Sequence, residues 1–164
     1  MIRDLDETPA RTRTGPLPPA AGARWFWWTC ALAAPPVAFL VAAAGYPMAT
    51  ADPARDLTML ALWSVLEEIV FRGLLQPALA RAFERRQMPM GSTPLTPANL
   101  VASVLFAAFH LWRHPLAVAL GVFPVSLLYG KARELSGHWW PAAVLHLGFN
   151  VALYAASWGL AGGR

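Results

Sequence analysis

Five apolar runs alternate with short polar segments along the chain, at about residues 25–46, 57–80, 98–112, 116–129 and 139–160. The first, second and fifth reach the roughly 20 residues that a helix needs to cross a hydrocarbon core. The third and fourth are shorter and predict helices that tilt in a thinned bilayer or stop short of one side. Pro35-Pro36 and Pro124 predict kinks in the first and fourth helices, whose freed carbonyls neighbouring helices can re-satisfy. Residues 1–24 carry Pro9, Pro16, Pro18 and Pro19, mixed charges and almost no large apolar side chain, the composition of a disordered tail. Asp4, Asp6 and Glu7 stand where a cleaved signal peptide would be basic and then apolar, so this tail is expected to be retained. There is no internal repeat. The pattern is that of an all-α protein, a polytopic transmembrane bundle of about five helices, with a tail over 1–24 and one domain over 25–164.

Composition agrees. With 57% hydrophobic and 13% charged residues, the chain is unlike a soluble domain. Its net charge of +4 comes from arginines in short loops instead of one basic face, which argues against a nucleic-acid partner and for a role in topology. With the N-terminus inside, nine lysines and arginines fall on the inner side, three on the outer side, and Arg72 lies within the membrane. The positive-inside rule then predicts an N-in, C-out protein of the cytoplasmic (inner) membrane. Trp25, Trp27, Trp28, Trp139 and Trp140 suit an aromatic belt on the same inner side. Cys30 is the sole cysteine, which excludes an intramolecular disulfide and reads as packing material.

Charge inside the second run changes the picture. Glu67, Glu68 and Arg72 sit among eleven Leu, Ile, Val and Phe residues between Leu57 and Ala80. Three such charges at mid-membrane oppose insertion by about 8 to 10 kcal/mol, against about 3 to 7 kcal/mol from the apolar residues. The helix therefore needs polar partners from the rest of the chain. Glu68 and Arg72 have i,i+4 spacing with the acid first, the favourable order for an ion pair. Glu67 lies about 100° away around the helix, aimed elsewhere and placed to act as a general base on water. The third run contains Phe106 and His110, and the fifth contains His146 and Asn150 at i,i+4, on one helix face. Groups so unfavourable in lipid should converge.

The set is hydrolytic in type: a carboxylate to take a proton from water, imidazoles to orient the water or carry protons, and an amide to steady an oxyanion. Two His with one or two Glu would also suffice for zinc, although no His-Glu-x-x-His sequence or cysteine cluster is present. Ser64, Ser103, Ser126 and Ser157 lack a Gly-x-Ser-x-Gly setting. A proton-relay transporter would use similar charges, but five helices without a repeat offer no alternating-access pair. A non-catalytic binding or immunity protein is a further class.

Glu67-Glu68-x-x-x-Arg72, Phe106-x-x-x-His110 and His146-x-x-x-Asn150 together resemble the CPBP or ABI family of intramembrane glutamic proteases, which includes the endopeptidases that trim prenylated CAAX proteins. The resemblance covers about residues 57–155. It implies that Glu67 activates water with help from His110, that His146 and Asn150 assist at the water and the oxyanion, and that Glu68 and Arg72 support them. It implies no metal or other cofactor, and a membrane-associated protein or peptide as substrate, with three cases open: a peptide to be matured, a protein with a CAAX-like or C-terminal sorting tail, or a membrane regulator. Family members usually have more helices, so the chain resembles a compact version. His110 falls near the outer end of its helix, which is expected to stop short within the protein. Arg113 and His114 read as ordinary loop residues.

Overall fold

The computed structural model describes residues 26–30, 52–85 and 95–161. The tail over 1–24, Pro35-Pro36 and most of the first apolar run lie outside the described residues. Five helices follow in order: α1 (Pro53–Glu68), α2 (Gln76–Arg85), α3 (Pro97–His110), α4 (Leu116–Ser136) and α5 (Trp140–Ala161), with a π-helical segment, Ile69–Leu75, joining α1 to α2. The described residues contain no strand, in keeping with the all-α expectation.

Local chemistry sets the helix ends. Asp52 Oδ1 accepts from the amide of Arg55 at 3.1 Å and Thr96 Oγ1 from the amide of Asn99 at 3.1 Å, and each cap precedes a proline that has no amide to leave unpaired. Gly137, at φ 75°, ends α4 in the left-handed conformation that a side chain disfavours. From Pro53 to Arg85 the backbone is one helical run, about 50 Å long.

The fourth run was expected to end near Tyr129, but α4 continues to Ser136. Its polar end stays helical because the charges find partners. Lys131 Nζ lies 3.4 Å from Glu134 Oε2, Arg133 Nε donates to the carbonyl of Arg72 at 3.1 Å, and Gln76 and Thr96 donate to Glu134 Oε1. Pro124 lies inside this helix. Among the described residues, α4 is the one helix long and apolar enough to cross a membrane, and α3 is a shorter apolar helix.

Helix α1 packs on α5, α2 on α3, α3 on α4 and α4 on α5. Directions follow from paired residues. Ser64 meets Asn150 and Glu68 meets His146, so α1 and α5 run antiparallel. Arg72 meets Ser126 and Gln76 meets Gly130, so α4 runs parallel to the second half of the long helix. At Gly130 the absent side chain matters: a Cβ there would fall 1.8 Å from Asn99 Oδ1. Tyr129, Ala132, Ala142 and Phe149 form an apolar cluster on which Phe26 and Trp27 pack.

Burial is inverted relative to a water-soluble protein. Ser64, Glu68, Arg72, Asn99, Ser103 and Ser126 are fully buried, whereas Leu74 is 64% and Leu120 65% exposed, as are many other large apolar side chains. An exterior this apolar around a polar interior marks a surface not meant for water.

Candidate active site

Arg72 is the hub. Its Nε donates to Glu68 Oε2 at 3.2 Å, Nη1 reaches Gln76 Oε1 at 3.4 Å, and Nη2 donates to the carbonyl of Ser126 at 2.8 Å and to the Ser126 hydroxyl. A guanidinium is suited to this because its donors point along several fixed directions. The face of the Phe106 ring closes the site, with Arg72 Cζ 5.6 Å from its centroid. The Glu68–Arg72 pair expected from spacing is therefore present, buried, and satisfied on every side that the contacts reach.

Glu68 has a second partner. His146 Nδ1 lies 3.1 Å from Glu68 Oε1. Since a carboxylate accepts, Nδ1 carries the proton and Nε2 of a neutral ring carries the lone pair. That Nε2 lies 3.9 Å from Glu67 Oε2, too far for a direct hydrogen bond. Glu67 itself keeps 16% of its side chain exposed, against none for Glu68. Tyr129 stacks on His146 at 4.9 Å with an interplanar angle of 20°, and the Phe106 ring meets it edge-on at 5.7 Å.

Asn150, one turn beyond His146, donates from Nδ2 to Ser64 Oγ at 3.0 Å. His110 is the last residue of α3. Its Nδ1–H donates to the carbonyl of Phe106 at 2.9 Å, which leaves Nε2 as an acceptor. The His110 ring packs on Phe106 at 4.8 Å and on His114 at 5.8 Å. Thus Glu67, Glu68, Arg72, His146 and Asn150 are drawn together along the α1–α5 seam. His110 also packs against the Phe106 ring, and among the described residues no hydrogen bond or ion pair joins it to Glu67.

Ser64, Gln76, Ser126 and Tyr129 belong to this site but to none of the three motifs. Ser64, Glu68, Arg72 and Gln76 recur every four residues and are all buried, a polar stripe down one side of the long helix. A regular α-helix advances about 40° with each such step, so the stripe would wind away from α4. The π-helical segment, in which the Gln76 amide bonds to the carbonyl of Phe71, widens the turn and keeps Arg72 and Gln76 facing α4. The four-residue recurrence was readable in the sequence. Ser126 and Tyr129, supplied by α4, had no such signal.

A family model described as type II CAAX prenyl endopeptidase, Rce1-like, matches residues 53–152. That interval contains every residue of the stripe and all three motifs. No curated protein and no solved structure matches.

Proposed function

The chain belongs to the Rce1-like type II CAAX prenyl endopeptidases, a family of membrane-embedded proteases, and we propose that it works as an intramembrane glutamic endopeptidase in which Glu67 activates the attacking water. The observation that carries this reading is the division of labour between adjacent carboxylates. Glu68 is held by Arg72 and His146, while Glu67 is partly exposed and 3.9 Å from His146 Nε2. One water can touch both Glu67 and His146 at that separation.

In the proposed reaction Glu67 takes a proton from this water as its oxygen attacks the scissile carbonyl carbon. The carbonyl π electrons move to oxygen and the Asn150 amide steadies the resulting oxyanion, while the lone pair of His146 Nε2 accepts from the attacking water and orients it. Collapse breaks the C–N bond as the proton passes to the leaving amine, with His110 assisting at the water. General-base action contributes about 10² to 10⁴ in rate, and one oxyanion donor about 10² to 10³. The groups act without a covalent intermediate.

The apolar exterior supports placement of the bundle against lipid, and the unequal distribution of lysine and arginine between its loops favours a cytoplasmic membrane with the N-terminus inside and the C-terminus outside. The substrate is then a membrane-associated protein or peptide, cut near a CAAX-like or sorting tail. The test uses purified protein in liposomes and an internally quenched, prenylated peptide ending in a CAAX sequence. Wild-type chain is expected to cut it, and Glu67→Gln to abolish cutting while remaining folded. A Gln variant with full activity would overturn the mechanism. A chelator should leave the rate unchanged; loss restored by zinc would move the chemistry to a metal.

A further inference from the structure

We infer that Ser64 is a positioning residue of the site, acting through the amide of Asn150; this rests on the reading of Asn150 as an oxyanion donor. Ser64 lies outside the three motifs, one helical turn before Glu68 on the polar stripe, and is fully buried. Its hydroxyl oxygen receives the Asn150 Nδ2–H at 3.0 Å. The terminal torsion of asparagine is broad and roughly two-fold, so backbone and rotamer alone leave the amide plane loosely set. An amide turned by half a revolution would present its oxygen where negative charge develops. The bond to Ser64 uses one N–H of the amide and fixes its plane, which leaves the second N–H in a defined direction.

The arrangement also ties two turns of α1 to two turns of α5. His146 is held by Glu68 and Asn150 by Ser64, so each functional side chain of α5 is oriented by a buried side chain of α1 four residues from the other. Ser64 touches no reacting atom in this scheme. Its contribution is made in the transition state, where the direction of an N–H matters most, and not in substrate binding.

The experiment is a double-mutant cycle on the prenylated CAAX peptide in liposomes, with kcat and KM measured separately and Tm recorded for each variant. Ser64→Ala is expected to lower kcat about tenfold with KM within about twofold, and Asn150→Ala to lower kcat about 10² to 10³. The double variant should fall no further than Asn150→Ala alone, because Ser64 has nothing left to orient. Full kcat in Ser64→Ala, or losses that multiply in the double variant, would overturn the inference, since a merely structural role acts independently of Asn150. Glu67→Gln in the same assay separates the two levels: if that variant still cuts, or wild type does not, the underlying reading fails; if it is dead while the losses multiply, only the role of Ser64 fails.

Discussion

Nδ1 of His146 and Oε1 of Glu68 lie 3.1 Å apart, so one carboxylate grips an imidazole with one oxygen and a guanidinium with the other. Glu68 is thereby more than a counter-ion. It selects which nitrogen of His146 faces Glu67, as second partners of functional histidines generally do.

Glu68→Gln tests that assignment. The variant keeps the shape but removes the charge that holds the His146 tautomer, and kcat should drop about 100-fold or more, as happens when an orienting carboxylate is neutralised in a triad. Arg72 is left buried without a counter-charge, and a broken buried pair lowers stability by about 3 to 5 kcal/mol. Activity must therefore be measured per folded molecule; an unchanged kcat would show that Glu68 serves packing alone.

Gly130→Ala should be among the most disruptive small substitutions. The added methyl would meet Asn99 Oδ1 at 1.8 Å and Asn99 Cγ at 2.3 Å, and Asn99 is fixed by Ser103 and the carbonyl of Leu127. Overpacking of this kind lowers stability by about 1 to 3 kcal/mol. Thermal unfolding in detergent should show the loss, and Asn99→Ala in the same chain should recover part of it.

Tyr154→Phe should raise stability. The Tyr154 hydroxyl is buried and, among the described residues, has no hydrogen-bond partner. Removing an unsatisfied polar group gains about 1 kcal/mol, or about 2 to 4 °C in Tm for a chain of this size. A lower Tm would reveal a partner for the hydroxyl.

His114, in the turn between α3 and α4, should make stability fall in mildly acid solution. Burial, aided by the His110 and Arg113 charges, holds its imidazole below the ordinary value of 6.5. The unfolded chain therefore takes up this proton first as pH falls, so the contribution is intact above about 6.5 and is lost as pH falls below it. Denaturation curves of His114→Gln should be flatter than wild type in that window; identical pH dependence would exclude the contribution.

Much of this architecture was legible from residue type and spacing. Charges in an apolar helix announce themselves energetically, so Glu67, Glu68 and Arg72 stood out, and i,i+4 spacing sufficed to pair Glu68 with Arg72. Uncharged groups announce far less. Ser64 and Gln76 alter hydropathy little, and their importance depends on which helix faces them, which one sequence does not reveal. Spacing also left Glu68 with a single partner, because His146 approaches from a distant part of the chain. The end of α4 was misplaced for a related reason: Lys131, Arg133 and Glu134 resemble a loop by hydropathy, whereas their partners on neighbouring segments keep them helical. His110 was expected to converge with the set, whereas the bond that the structure gives it, to the Phe106 carbonyl, depends on the local helix end.

The π-helical segment has a consequence for how chain length varies in this region. A regular turn would be restored by deleting one residue between Ile69 and Leu75, a change that hydropathy would scarcely register. Because the wide turn already absorbs one extra residue, the helix beyond such a deletion would keep its facing toward α4, whereas the same deletion within regular α1 would rotate everything beyond it by about 100°. A single-residue gap is thus absorbed at this one place in the long helix, while elsewhere in α1 or α2 it acts as a screw that turns one half of the helix against the other.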